Sequence, residues 1–282
     1  MLFRSVFFSL FHASTVHGLG VAPDRSILFP YLELVPELRF TLWGELLRQP
    51  RAVGYVSACE RKLVRGYVRA TPAFDEVVGL GVDASHRESY PRHQQDPADA
   101  PERDELAPAD DEPAEPEPEY LDGRGIPFRR RHRLYGPLAI YGGRVDGENG
   151  CEEMLEYFDG YAAADGDTTL VLMGPKMMKV PDLTRVRMAG VLPDSERMFA
   201  FEAAEVTIAP ASGDLVSQSL LESLAVGTPV LASARNQAAV EHVRRSNAGL
   251  YYANGEEFAE GDRKSTRLNS SQTDISRMPS SA

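Results

Sequence analysis

The chain predicts an α/β protein built on parallel, doubly wound sheets, and three observations carry that expectation. Short apolar runs alternate with stretches of helical periodicity along most of the sequence. A strongly acidic, proline-rich segment divides those runs into two groups. The stretch SGDLVSQSLLESLAVGTPVLAS (212–233) passes from a helical pattern through Gly227 and Pro229 straight into a β-type run, which is how a helix hands over to a parallel strand.

In the first group, SILFP (26–30) and RAVGYVSA (51–58) read as strands, and VVGLGV (77–82) as a strand with glycine turns. Stretches 37–47 and 60–68 read as helices between them. This N-terminal unit, 6–83, has only about half the length of a complete doubly wound domain and is read as incomplete.

The second unit, 128–261, is more regular. PLAIYGG (137–143) is an apolar run closed by glycines. CEEMLEYFDGYAA (151–163) places Met154, Leu155, Phe158 and Ala162 at helical spacing. TTLVLMG (168–174) has the composition of a buried strand, and VRMAG (186–190) is a second, shorter one. ERMFAFEAA (196–204) reads as a helix and VTIAP (206–210) as a strand. The helix 215–226, the strand PVLAS (229–233), a helix stopped at Asn247 to Gly249 and the strand LYY complete the series.

Between the units, 84–127 is read as a disordered linker. Its core, 88–122, holds 13 acidic and 2 basic side chains and so supplies most of the net charge of −12. Such a segment buries too little apolar surface to offset its chain entropy. No basic stripe with interleaved aromatic residues exists, which argues against nucleic acid as a partner. The apolar run VFFSLF (6–11) is too short for a signal peptide or a membrane span. Membrane contact is expected to be peripheral at most and the location cytoplasmic. Cys59 and Cys151 lack metal-ligand spacing and are read as reduced thiols.

Both ends look foreign. From 262 to 282 the apolar periodicity stops and Ser, Thr and Arg dominate. This stretch resembles a translated sequencing adapter, as MLFRS (1–5) resembles the opposite adapter end. The natural sequence is therefore read as 6–261.

Two acids stand out in 212–233. Eight residues advance a helix by about 800°, roughly 80° past two turns, so Asp214 and Glu222 share one broad side. Asp214 also suits an ordinary helix N-cap. Glu222 lies beside Leu220, Leu221 and Leu224, where a buried acid requires a partner.

Three motifs now carry a resemblance. VVGLGVD (77–83), YGGRVDGENG (141–150) and the acid pair followed by AVGTPV (225–230) are similar to motifs of the retaining, nucleotide-sugar-dependent glycosyltransferases called family four, or glycosyl transferases group 1. The resemblance implies the GT-B fold, two Rossmann-like domains with a nucleotide-diphosphate-sugar donor held mainly by the C-terminal one. It implies a hexosyl transfer to a hydroxyl acceptor, a glycan or a lipid-linked one, with retention and with neither cofactor nor metal. The implied donor site comprises Gly142, Gly143, Arg144, Asn149, Asp214, Leu215 and Glu222. Arg144 would bind phosphate, Asp214 the sugar hydroxyls and Glu222 the ribose, and these three are the expected catalytic group. The chain departs from the family at three positions, with Asn149 in place of a lysine, Asp214 in place of a glutamate and Glu33 where relatives often have a histidine. Those departures also suit a non-catalytic nucleotide-sugar-binding or scaffolding protein.

Overall fold

The computed structural model describes residues 5–69, 72–82, 125–164, 166–211, 213 and 217–261. Two parallel sheets organise them. The first has four strands in chain order, β1 (Ser5–Phe8), β2 (Ser26–Phe29), β3 (Ala52–Tyr55) and β4 (Asp75–Val77). The connecting helices are α1 (Ala13–Gly18), α2 (Thr41–Arg48) and α3 (Ala58–Leu63), the last running on into a wider turn over Val64–Val68. One face of this sheet is dry. Leu28, Val53 and Tyr55 are buried there with Leu10, Leu19, Leu46 and Val64. On the other face Val6 and Phe8 remain half exposed, and Phe8 stacks on Phe29 with ring centroids 5.3 Å apart.

The second sheet has six parallel strands. They are β5 (Leu138–Gly142), β6 (Thr169–Met173), β7 (Val186–Gly190), β8 (Val206–Ala209), β9 (Val230–Ser233) and β10 (Gly249–Tyr252), in spatial order β10-β9-β8-β5-β6-β7. The helices are α4 (Ile126–His132), α5 (Cys151–Ala163), α6 (Asp194–Ala203), α7 (Gln218–Val226) and α8 (Gln237–Ser246). The sheet is covered on both sides, and the strands show it in their alternation. Ala139, Tyr141, Leu170 and Leu172 enter a core with Met154, Leu155 and Phe158 of α5. Leu138, Ile140, Val171 and Met173 enter the opposite core with Phe128 of α4 and Phe201 of α6. Continuous apolar runs are what a strand sandwiched between helix layers requires.

The expected strands and helices of the second unit are present, with shifted ends. α7 begins at Gln218, where the Ser217 side chain accepts the Leu220 N–H, rather than at Leu215. It stops at Gly227, and the Thr228 N–H reaches back to the Ser223 carbonyl. The buried Ser223 and Thr228 hydroxyls then bond to Thr207 of β8 and to the Phe201 carbonyl of α6. The AVGTPV motif is thus a helix stop fastened to both neighbours.

Three boundaries differ from the sequence reading, and the first is the strand expected over 77–82, which instead is β4 and ends at Val77. Ser5, assigned to a foreign end, opens β1 in register with Ser26. The linker, placed at 84–127, ends earlier, because α4 starts at Ile126. Helix α4 was not expected at all. Its basic sequence hides Arg129, a buried side chain that donates to the Gly136 and Ala203 carbonyls. The acidic core of the linker, the 262–282 end and residues 1–4 lie outside the described residues.

The two units touch through specific groups. The Leu34 N–H donates to the Gly213 carbonyl at 2.9 Å. Cys59 on α3 donates through Sγ to the Glu241 carboxylate on α8 at 2.8 Å. Burial, then that hydrogen bond, pushes the Cys59 thiol up to about 11.

Asp75 of β4 is clamped by Arg61 and Arg65, at 2.7 and 2.8 Å. The Arg61 hydrogen bond, then that of Arg65, holds its carboxyl below the usual carboxylate range. A depressed carboxyl contributes stability that is complete above its unfolded pKa, about 4, and is lost as pH falls through the lower folded value. Asp75→Asn should therefore flatten the acid limb of the melting temperature measured between pH 7 and pH 2. An unchanged acid slope would show that the clamp contributes nothing.

Candidate donor site

The second sheet changes direction between β5 and β8. From β5 the chain winds outward through β6 and β7, and from β8 it winds the opposite way through β9 and β10. Helical connections leave these adjacent strands on diverging paths, so a crevice opens above their carboxyl ends, where ligands of such sheets bind. The pocket found there is lined by Tyr141 to Arg144 after β5 and by Thr207 to Pro210 at the end of β8. Ser217, Ser219 and Leu220 of the α7 entry, Asn149, Asn236 and Glu33 complete the wall.

Glycine makes the close approaches possible. A Cβ on Gly142 would sit 2.9 Å from Ser219 Oγ and 3.0 Å from Phe201, so α7 packs directly on the end of β5. Gly150 has φ +70°, and a Cβ there would lie 2.3 Å from the Ala211 carbonyl oxygen. Its conformation and the lack of a side chain let the 143–150 loop close over the end of β8.

That loop is internally braced. The Tyr141 hydroxyl donates to the Arg144 carbonyl at 2.6 Å. The Asn149 side-chain amide donates to the same carbonyl at 3.4 Å and to Asp146 Oδ1 at 2.8 Å. Asp146 also accepts the Asn149 backbone N–H at 2.8 Å and Arg144 Nε at 2.9 Å. The Arg144 backbone is therefore fixed while its side chain stays half exposed at the pocket, within 3.7 Å of Glu148 as well. Asn149, expected at a phosphate, spends its amide on holding this loop.

Glu222 has a different setting from the one expected. It is buried, and its carboxylate accepts Arg197 Nε at 2.8 Å and Nη2 at 2.6 Å, with Gln218 Nε2 at 2.9 Å. The paired hydrogen bonds tie α7 to α6, and Arg197 reaches Asp194 too. Glu222 does not line the pocket; Ser217, Ser219 and Leu220 on the same helix entry do. Asp214 and Leu215 lie outside the described residues. The structure thus brings together Gly142, Gly143, Arg144 and Asn149, and sets Glu222 beyond them in an ion pair.

Several pocket residues were absent from the sequence expectation. Asn236 is buried, caps α8 by accepting the Ala239 N–H, and donates to the Pro210 carbonyl. An Asn just before a helical pattern is a readable N-cap signal. Thr207 carried no such signal, since it looks like any strand residue. Among the described residues, no three His, Cys, Asp or Glu side chains converge as metal ligands. No helix among them is long and apolar enough to cross a membrane.

Comparison with known proteins adds to this geometry. Residues 136–263 match the family described as Glycosyl transferases group 1. No curated protein sequence matches the chain. Among solved structures it is similar to sucrose-phosphate synthase from Thermosynechococcus elongatus, at 16% identity and a TM-score of 0.57, over 85% of this chain and 58% of that one. It is similar to HepE of Anabaena in complex with UDP-glucose, at 13% identity and a TM-score of 0.64, over 92% of this chain and 68% of that one. A third likeness is to WaaG, a glycosyltransferase involved in lipopolysaccharide biosynthesis, at 15% identity and a TM-score of 0.58, over 89% and 71%. The chain spans less than two thirds of the synthase. At these identities the likeness is one of fold: two parallel α/β sheets arranged as in the GT-B glycosyltransferases.

Proposed function

We propose that the chain transfers a hexosyl unit from a nucleoside-diphosphate sugar to a hydroxyl acceptor, with retention of configuration, in a cytoplasmic setting and without a metal or cofactor. The observation that carries this reading is the placement of the pocket. It lies at the strand-order reversal of the very stretch that matches the glycosyl transferase family, between Arg144 and the N-terminal end of α7. Relatives of the same fold support the donor class, since HepE was solved with UDP-glucose.

In this reading the diphosphate lies between Arg144 and α7. The helix entry offers backbone N–H groups and the positive end of its dipole. The Ser217 side chain takes the Leu220 N–H and its carbonyl the Leu221 N–H. As the bond to the sugar breaks, negative charge collects on the departing diphosphate, and these fixed donors stabilise it. Gly142 and Gly143 allow the backbone to come near. Asp214 and Leu215 join the sugar side by resemblance. A carboxylate has about four lone-pair sites. Glu222 uses three on Arg197 and Gln218 and lies outside the pocket lining, so it serves the donor by holding α7 against α6 rather than by touching the ribose. A glycan or lipid-linked hydroxyl is the acceptor.

One observation favours a second reading, a non-catalytic nucleotide-sugar binder. Arg144 already faces Asp146 and Glu148, and Asn149 offers no charge to a diphosphate. Titration calorimetry with uridine and guanosine diphosphates, followed by a donor-hydrolysis assay, separates the two. Binding followed by hydrolysis is expected. Binding without it supports the second reading, and the absence of binding removes both.

The variants have distinct expected outcomes. Arg144→Ala should weaken nucleoside-diphosphate binding about tenfold, or about 1.4 kcal/mol, with little loss of melting temperature. An unaltered affinity would put the phosphates elsewhere. Glu222→Ala should lower stability by roughly 2–4 kcal/mol as well as affinity, because it strands Arg197 beside α7. A variant as stable as the parent would show that the ion pair is dispensable. Asn149→Lys should raise diphosphate affinity, by an amount that shrinks with salt. It should also melt lower, because the loop loses its bracket at about 1–2 kcal/mol. A gain in affinity at no cost in stability would contradict the bracing role.

A further inference from the structure

Resting on the donor reading above, we infer that Glu33 reads the charge of the donor sugar, so that the site takes uncharged hexoses and rejects hexuronates. Glu33 comes from the first sheet's unit yet lines the pocket of the second. Its place there is fixed from both sides. The preceding residue, Leu32, donates its backbone N–H to Glu60 Oε1 at 2.9 Å. The following residue, Leu34, donates its own to the Gly213 carbonyl at 2.9 Å. Glu60 is fully buried at the entry of α3 and also accepts the Val56 N–H at 2.8 Å, so its carboxylate locks the loop after β2 onto the end of β3. The Glu33 backbone is therefore held between an anchor in its own unit and one in the other.

The pocket carries few charged groups. Among its described lining residues only Arg144 and Glu33 are charged. Arg144 and the α7 entry define the end that attracts phosphate. A carboxylate repels phosphate, so in this inference Glu33 faces the sugar rather than the diphosphate. There it accepts hydrogen bonds from sugar hydroxyls, as a two-oxygen acceptor suits. A second carboxylate on the sugar would meet it with like charge in a partly desolvated crevice, where such repulsion is stronger than in open water. Arg144, at the phosphate end and paired with Asp146, offers the sugar carboxylate no compensation.

The test uses the full chain, wild type and Glu33→Gln, titrated with UDP, UDP-glucose and UDP-glucuronate. If guanosine is the base selected, GDP, GDP-mannose and GDP-mannuronate replace them. Glutamine keeps the shape of the side chain and one acceptor oxygen, turns the other into a donor, and removes the charge. The wild type should prefer the uncharged sugar by roughly five- to tenfold. The variant should narrow that preference severalfold, and added salt should narrow it more in the wild type than in the variant. Both proteins should bind the free diphosphate equally and melt alike. A wild type that takes the hexuronate as well as the hexose, or a preference that survives Glu33→Gln, would overturn the inference while leaving the donor reading intact. Failure of the wild type to bind either diphosphate would instead remove the donor reading and the inference with it.

Discussion

The constraint on which the structure depends is the divergence of two adjacent parallel strands. β5 and β8 are hydrogen-bonded neighbours through Ala139 and Ile140, yet the chain leaves them in opposite directions. A helix must follow each strand to reach the next, and two helices leaving on opposite sides cannot meet above the gap. The crevice is thus a product of topology. Gly142 sets its floor by admitting Ser219, and the braced loop from Gly143 to Gly150 forms one wall. Everything that gives the pocket chemistry hangs on those two elements.

The polar groups behind the pocket are arranged to keep it rigid. Asn149 and Tyr141 converge on one carbonyl, that of Arg144. Arg197 and Glu222 join two helices, and the Ser223 and Thr228 hydroxyls fasten the end of α7 to β8 and α6. Buried polar groups are tolerated because each finds a partner. A site held in this way presents its donors without reorganising when charge arrives.

Much of the second sheet was legible because strands buried on both faces are apolar throughout, as LAIYG, TLVLM and VTIA show. β1 was harder to read. Its apolar residues face both the core and the open side, so no alternation separates it from a simple hydrophobic run. Helix α4 was concealed by arginines whose role depends on carbonyls far along the chain. The Gly142 to Asn149 turn was legible, since glycines punctuate a sequence. The partner of Glu222 was not, because Arg197 lies 25 residues away and meets it only when α6 packs on α7. Sequence spacing locates an acid on a helix. It does not say which neighbouring helix will supply the base.

The contact between Cys59 and Glu241 makes the chain its own gauge of opening. With its thiol pushed up to about 11, Cys59 carries far less thiolate at neutral pH while the contact is intact than an ordinary cysteine does. Only the thiolate attacks an alkylating reagent. Separation of α3 from α8 would wet the sulfur and remove the carboxylate beside it, returning the thiol to ordinary reactivity. The rate at which Cys59 is labelled therefore reads out how often the two halves part, with no probe attached and no residue changed.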